Sequence, residues 1–146
     1  MAGSVARGRK NSPTGRWSLV ASLSATQRTL RALRERGLVC DIVERWIQRP
    51  GFGFRKDLFG IIDLIALGPE GVIGVQSCST DLAAHLKKIT EDCYESTVNW
   101  LRTPGCTLEL WGWRKLKVKR GGKAMTWAPR VITFGLDNGK LVWEEK

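Results

Sequence analysis

The chain has 146 residues, 42% of them hydrophobic, with 24 Lys and Arg against 14 Asp and Glu and a net charge of +10. That length supports one domain with one good core, and the charge favours a polyanionic partner, nucleic acid first. An apolar run of about 18 residues and a signal-peptide pattern are both missing, which argues against a membrane partner and predicts a soluble, cytoplasmic protein.

Residues 1–15 are rich in Gly, Ser, Arg and Lys without an apolar period, so they read as a flexible basic arm, with residues 16–146 as the folded domain. Ser24-Ala25-Thr26-Gln27 has the S-x-x-Q form of a capping box. Leu30, Leu33 and Leu38, with arginines between them, extend it into an amphipathic helix stopped by Gly37. Residues 38–47 alternate and predict one strand, and the glycines of residues 50–54 predict a loop. Two β-branched runs, 61–67 and 72–75, flank Gly68-Pro69-Glu70-Gly71 and predict a buried hairpin.

Ser79 or Thr80 then caps a helix to about residue 101, with Leu82, Leu86, Ile89, Cys93 and Val98 on its apolar side. Thr103-Pro104-Gly105 ends it. Strands follow at 106–116 and 127–134, separated by a basic turn, and Asp137-Asn138-Gly139 leads to a short edge strand at 140–143. The order helix, three strands, helix, two strands is that of an α/β fold with a mixed central sheet flanked by helices.

Asp57, Asp63 and Gln76 fall in or beside the buried hairpin, where polar groups are costly unless each has a partner, a metal or a function. The end of one hairpin strand lies beside its partner, so Asp63 and Gln76 can bring two oxygens within a few ångströms, enough for one hard cation such as Mg²⁺. Asp57 shares that parity if the strand runs unbroken, whereas a bulge at Gly60 would change it. The plainer reading makes Asp63 a turn cap and Gln76 a partner of neighbouring backbone. Trp111-Gly112-Trp113-Arg114-Lys115 sets a basic pair among aromatics, able to place Arg114 and Lys115 by phosphate with a tryptophan against a base. Most of the seven tryptophans are nevertheless expected in the core. Arg55, Lys87 and Lys88 complete the expected DNA-contacting set. Cys40, Cys78, Cys93 and Cys106 form no C-x-x-C pair and have one histidine, His85, to help them, so they read as buried free thiols rather than a zinc site.

Asp63, twelve intervening residues, then Gln76-Ser77-Cys78 resembles the signature of the PD-(D/E)XK nucleases, nearest to the small phage-type and Holliday junction resolvase-like members. The family pattern is an Asp at a strand end, a turn, and an E-x-K or Q-x-K tripeptide on the next strand. Over roughly residues 24–116 the resemblance implies an αβββαβ restriction-endonuclease-like core. It further implies Mg²⁺ or Mn²⁺ held by Asp63, Gln76, Asp57 and the Ser77 carbonyl, and hydrolysis of DNA, branched DNA included, in a bacterial or phage-infected cell. Two positions depart from the pattern. Gln76 stands where Glu is commoner, and Cys78 where the catalytic lysine would be, so Lys56, Lys87 or Lys88 has to reach in from elsewhere. The family's first-helix Glu is also absent, leaving Glu44 or Asp57 to compensate. The expected function is a metal-dependent DNA endonuclease, with a catalytically inactive nucleic-acid binder of the same fold, or a basic structural nucleoprotein component, as alternatives. Monomer and homodimer both stay open.

Overall fold

Three α-helices and eight strands are built from residues 23–146, the part that the computed structural model describes; the expected arm at residues 1–15 lies outside it. Helix α1 (Ala25–Glu35) begins where the capping box predicts, with Ser24 Oγ accepting the Gln27 N–H at 3.1 Å. It ends at Gly37, whose φ of +83° suits glycine.

The strand expected over residues 38–47 divides in two. After β1 (Val39–Ile42), the N–H groups of Val43 and Glu44 both donate to the Asp63 carbonyl, at 2.8 and 3.1 Å. Two residues against one halt the ladder as a bulge does, and the chain turns away. It leaves as a separate two-stranded ribbon of β2 (Arg45–Arg49) and β3 (Phe52–Lys56), so most of the expected loop at 50–54 is strand. Alternation runs on through the break, because a period of two records pleat but not which sheet a residue joins.

A tight turn at residues 58–62, with Phe59 and Gly60 at φ +56° and +77°, returns the chain to the sheet. β4 (Leu64–Gly68) and β5 (Gly71–Cys78) form the predicted hairpin around Pro69-Glu70. Any Cβ at Gly71 would run into the Gly105 carbonyl, which instead accepts the Val72 N–H at 2.7 Å. β5 pairs in parallel with β6 (Cys106–Lys117), and β7 (Met125–Asp137) and β8 (Lys140–Glu145) extend the sheet antiparallel. The result is a mixed six-stranded sheet in the order β1-β4-β5-β6-β7-β8.

The crossover between β5 and β6 is not the continuous helix expected. It consists of α2 (Leu82–Lys87), one π-helical stretch (Lys88–Asp92) and α3 (Tyr94–Arg102). Asp81, at φ +56°, precedes α2 in place of a Ser79 or Thr80 cap.

Alternation along β5 decides which side each residue serves. Val75 joins the core under α1 with Leu30, Leu33, Leu64, Trp111 and Trp113, whereas Cys78 joins the opposite core with Ile62, Ile89, Leu108 and Leu110. Trp111 and Trp113 are 1% and 8% exposed, which bears out the core reading for this pair and removes the alternative in which one of them meets a base. Both lie on the α1 side of β6, whose alternation sends them inward.

Candidate metal centre

Asp63 stands at the entry to β4, where its N–H donates to the Val75 carbonyl at 2.8 Å and fixes it beside Gln76. Both side chains are buried and face the α2–α3 side. Asp63 Oδ1 accepts Gln76 Nε2 at 2.8 Å, and Oδ2 accepts the Ser77 N–H at 2.8 Å. Gln76 Nε2 also donates to Asp57 Oδ2 at 3.1 Å. Lys88 Nζ closes the cluster, donating to Asp57 Oδ2 at 2.7 Å and to Gln76 Oε1 at 3.0 Å. Glu44 completes it: one oxygen each from Glu44, Asp57 and Asp63 lie within 4.8 Å of one another. Glu44, Asp57, Asp63, Gln76 and Ser77 line an open cleft of about 310 Å³, together with Arg55, the first turn of α1, Ser79, Thr80 and His85.

The carboxylates crowd one another. Burial, reinforced by the neighbouring Asp57 carboxylate, pushes Asp63 up to about 8, against the pull of the Ser77 N–H. Burial also raises Asp57, but hydrogen bonds from the Asp63 carboxyl, Lys88 and Gln76 outweigh it and hold Asp57 below the usual carboxylate range. At neutral pH the pair therefore holds one proton. Glu44 is raised by burial, with Asp57 adding to the rise and Arg55 and Lys88 opposing it. Three carboxylate oxygens this close together could hold a metal ion. Oxygen-only donors suit Mg²⁺ or Mn²⁺. Their 4.8 Å span is little more than the roughly 4.2 Å that two oxygens on opposite sides of Mg²⁺ occupy.

Several sequence expectations change here. Gln76 turns Nε2, not its oxygen, toward the carboxylates, because two carboxylates need donors and one NH₂ serves both. Lys88, not Lys56, is the lysine at the carboxylates. The divergence at Val43 carries β3 off the sheet and leaves Lys56 exposed opposite Arg45, while the π-helical stretch starts at Lys88, whose carbonyl accepts the Cys93 N–H at 2.7 Å. Lys87 turns outward to Asp92 at 3.5 Å. Helical periodicity cannot choose between these adjacent lysines without the π register. Asp57 reaches the site through the 58–62 turn rather than by strand parity, its carbonyl accepting the Gly60 N–H at 3.1 Å. Glu44, considered only as a substitute for a missing acid, comes in at the break between β1 and β2.

Cys78 is no nucleophile: burial, then the charges of Asp63 and Asp81, push its thiol up to about 11. Arg55 lines the cleft, with Nη1 3.5 Å from Glu44 Oε1. Arg114 and Lys115 are exposed on β6 beyond Gly112, the register partner of Cys78. Arg114 lines a smaller depression that shares Cys78, Ser79 and Thr80 with the main cleft, and Lys115 Nζ lies 5.4 Å from the Trp127 ring centroid. No family model, curated protein or solved structure matches the chain.

Proposed function

We propose that this protein is a metal-dependent DNA endonuclease that hydrolyses phosphodiester bonds, built on an αβββαβ restriction-endonuclease-like core into which the β2–β3 ribbon is inserted. With the ribbon set aside, α1, β1, β4, β5, the broken helix and β6 follow one another in the order of that core. The observation that carries the reading is Lys88 Nζ, held between Asp57 and Gln76, which supplies from the helix the cation that Cys78 lacks on the strand.

Asp63, Asp57 and Glu44 are the residues that would hold Mg²⁺ or Mn²⁺, with the Ser77 carbonyl as a further ligand implied by the resemblance; Gln76 would join them only by turning its oxygen away from Lys88. Once bound, such an ion supplies Lewis acidity to a phosphate oxygen and lowers the pKa of a water. Asp57 stays ionised beside Lys88, while Asp63 would have to release its proton to solvent in order to ligate a cation. Lys88 offers positive charge where negative charge grows on the phosphate. Arg55 and the first turn of α1, whose peptide dipoles favour anions, hold the strand across the cleft. Lys87, Arg114 and Lys115 extend the basic surface outward. Branched DNA is the substrate implied by the resolvase-like members.

Cleavage assays on linear and branched DNA with Mg²⁺ and Mn²⁺ test this. The wild type is expected to cut. Asp63→Asn should abolish cutting while metal-free DNA affinity persists or rises slightly. Lys88→Met should slow cutting by about 10²–10³-fold, the usual cost of one charge-stabilising donor. Wild type that cuts neither substrate with either metal, beside an Asp63→Asn variant that binds DNA equally, supports the non-catalytic binder instead. One observation favours that second reading: every buried side-chain polar atom among the described residues has a partner within the protein.

A further inference from the structure

The β2–β3 ribbon projects from the main sheet and carries an exposed indole held in a fixed seat. Trp46 is 60% exposed, yet it is not loose. Its Nε1 donates to Gln48 Oε1 at 2.9 Å, and Gln48 Nε2 is itself tied to the Arg49 and Phe52 carbonyls, both at 3.0 Å. The indole lies across Gly53 on the neighbouring strand, where any Cβ would run into its six-membered ring. The glycine that suggested a loop in the sequence is therefore the seat of an aromatic plate. Trp46 is also the register partner of Arg55, so both stand on one face of the ribbon, and Arg55 lines the acidic cleft.

A flat ring with one face on backbone and the other in water, next to an arginine at a phosphate-sized cleft, is the arrangement that stacks an unpaired base. The ribbon's charge fits the same occupant. Arg45, Arg49, Arg55 and Lys56 are its ionised residues, all cationic, within a chain of net charge +10. From Arg55 to Gly53 is two strand residues, roughly 7 Å. A phosphate at Arg55 can therefore place a neighbouring base over the ring.

We infer that Trp46, seated on Gly53 and oriented by Gln48, is a stacking platform for an unpaired nucleobase beside the cleft, so that the protein prefers nucleic acid with single-stranded character near the bound phosphate. This rests on the nuclease reading for its substrate class. Its test is separable, because binding is measured without metal. A short oligonucleotide carrying 2-aminopurine is titrated in EDTA, as a single strand and as a blunt duplex, against wild type, Trp46→Ala, Trp46→Phe and Gly53→Val. Wild type should quench the single-stranded probe. Trp46→Ala should lose the quench and about ten-fold in single-strand affinity, the usual range for one stacked base, with duplex affinity unchanged within about two-fold. Trp46→Phe should retain most of both. Gly53→Val should behave like Trp46→Ala although the tryptophan is still present, because its side chain displaces the ring.

Single-strand binding by Trp46→Ala equal to wild type, an equal loss on single strand and duplex, or no binding by wild type overturns the platform. So does a concentration-dependent dimer that Trp46→Ala dissociates, since the indole would then be covered by a second copy. A Trp46-dependent quench without metal-dependent cleavage supports the platform and defeats the nuclease. Cleavage with Trp46-independent binding does the reverse.

Discussion

Gln76 and Ser77 are neighbours on β5 and both are buried, yet they enter two different kinds of polar cluster. On the α1 side, Ser77 Oγ and Trp113 Nε1 donate to Thr29 Oγ1 at 2.9 and 2.8 Å, and Thr29 Oγ1 donates to the Ala25 carbonyl at 3.0 Å. These neutral groups satisfy one another and brace the first helix against the sheet. On the other side, Gln76 meets two carboxylates and one ammonium, Glu44 lies close to both carboxylates, and of the two aspartates Asp63 is the one pushed toward its protonated form. Burial of polar side chains is thus common to both clusters. What separates them is ionisable excess, since only the second can exchange a proton for a cation.

That contrast breaks most visibly with pH. Asp63 keeps its proton below about 8, and a bound cation needs the carboxylate. Mn²⁺ affinity should therefore rise about ten-fold per pH unit well below that value, roughly fifty-fold from pH 6 to 8 for one displaced proton, and level off above. Calorimetric titration in buffers of different ionisation enthalpy reads both the affinity and the proton released. A flat profile would place the Asp63 proton elsewhere.

Thr29→Val probes the other side of β5. It leaves the Ser77 hydroxyl and the Trp113 N–H without their acceptor, so denaturant unfolding should show a loss of about 2 kcal/mol. Mn²⁺ affinity and its pH dependence should not move. If they do, the two clusters are coupled through β5 and the distinction between them fails.

The smallest effect belongs to exposed charge, which neither cluster uses. Arg114→Ala with Lys115→Ala should reduce the log-log salt slope of DNA binding by about two units if both residues touch phosphate, from about −5 for some six contacts. An unchanged slope moves the DNA path off this part of β6.

Much of the arrangement was legible from local signals. The Ser24 cap, the Gly68 to Gly71 turn, the Asn138-Gly139 turn and the common face of Asp63 and Gln76 follow from capping, turn chemistry and pleat, and each stands in the structure. The misses share a cause, since each was decided by packing between distant segments. Val43 and Glu44 leave the sheet because Asp63, twenty residues further on, offers one carbonyl to both. The π-helical stretch coincides with Thr97 Oγ1 donating to the Ile89 carbonyl at 2.7 Å, a tie across the broken helix. Without that register the sequence could not choose Lys88 over Lys87. Trp111 and Trp113 sit inside, as the core reading of the tryptophans has it, whereas Trp46 lies outside, where Gly53 on the neighbouring strand gives it a seat that alternation does not reveal.

The most direct test is crystallographic. Crystals grown with Mn²⁺ at pH 8 or above, measured at the manganese absorption edge, should show an anomalous peak among the Glu44, Asp57 and Asp63 carboxylates, absent from Asp63→Asn crystals grown alike. No peak there in the wild type, with Gln76 Nε2 still donating to both aspartates, would contradict the metal centre and leave a self-satisfied polar cluster like the one around Thr29.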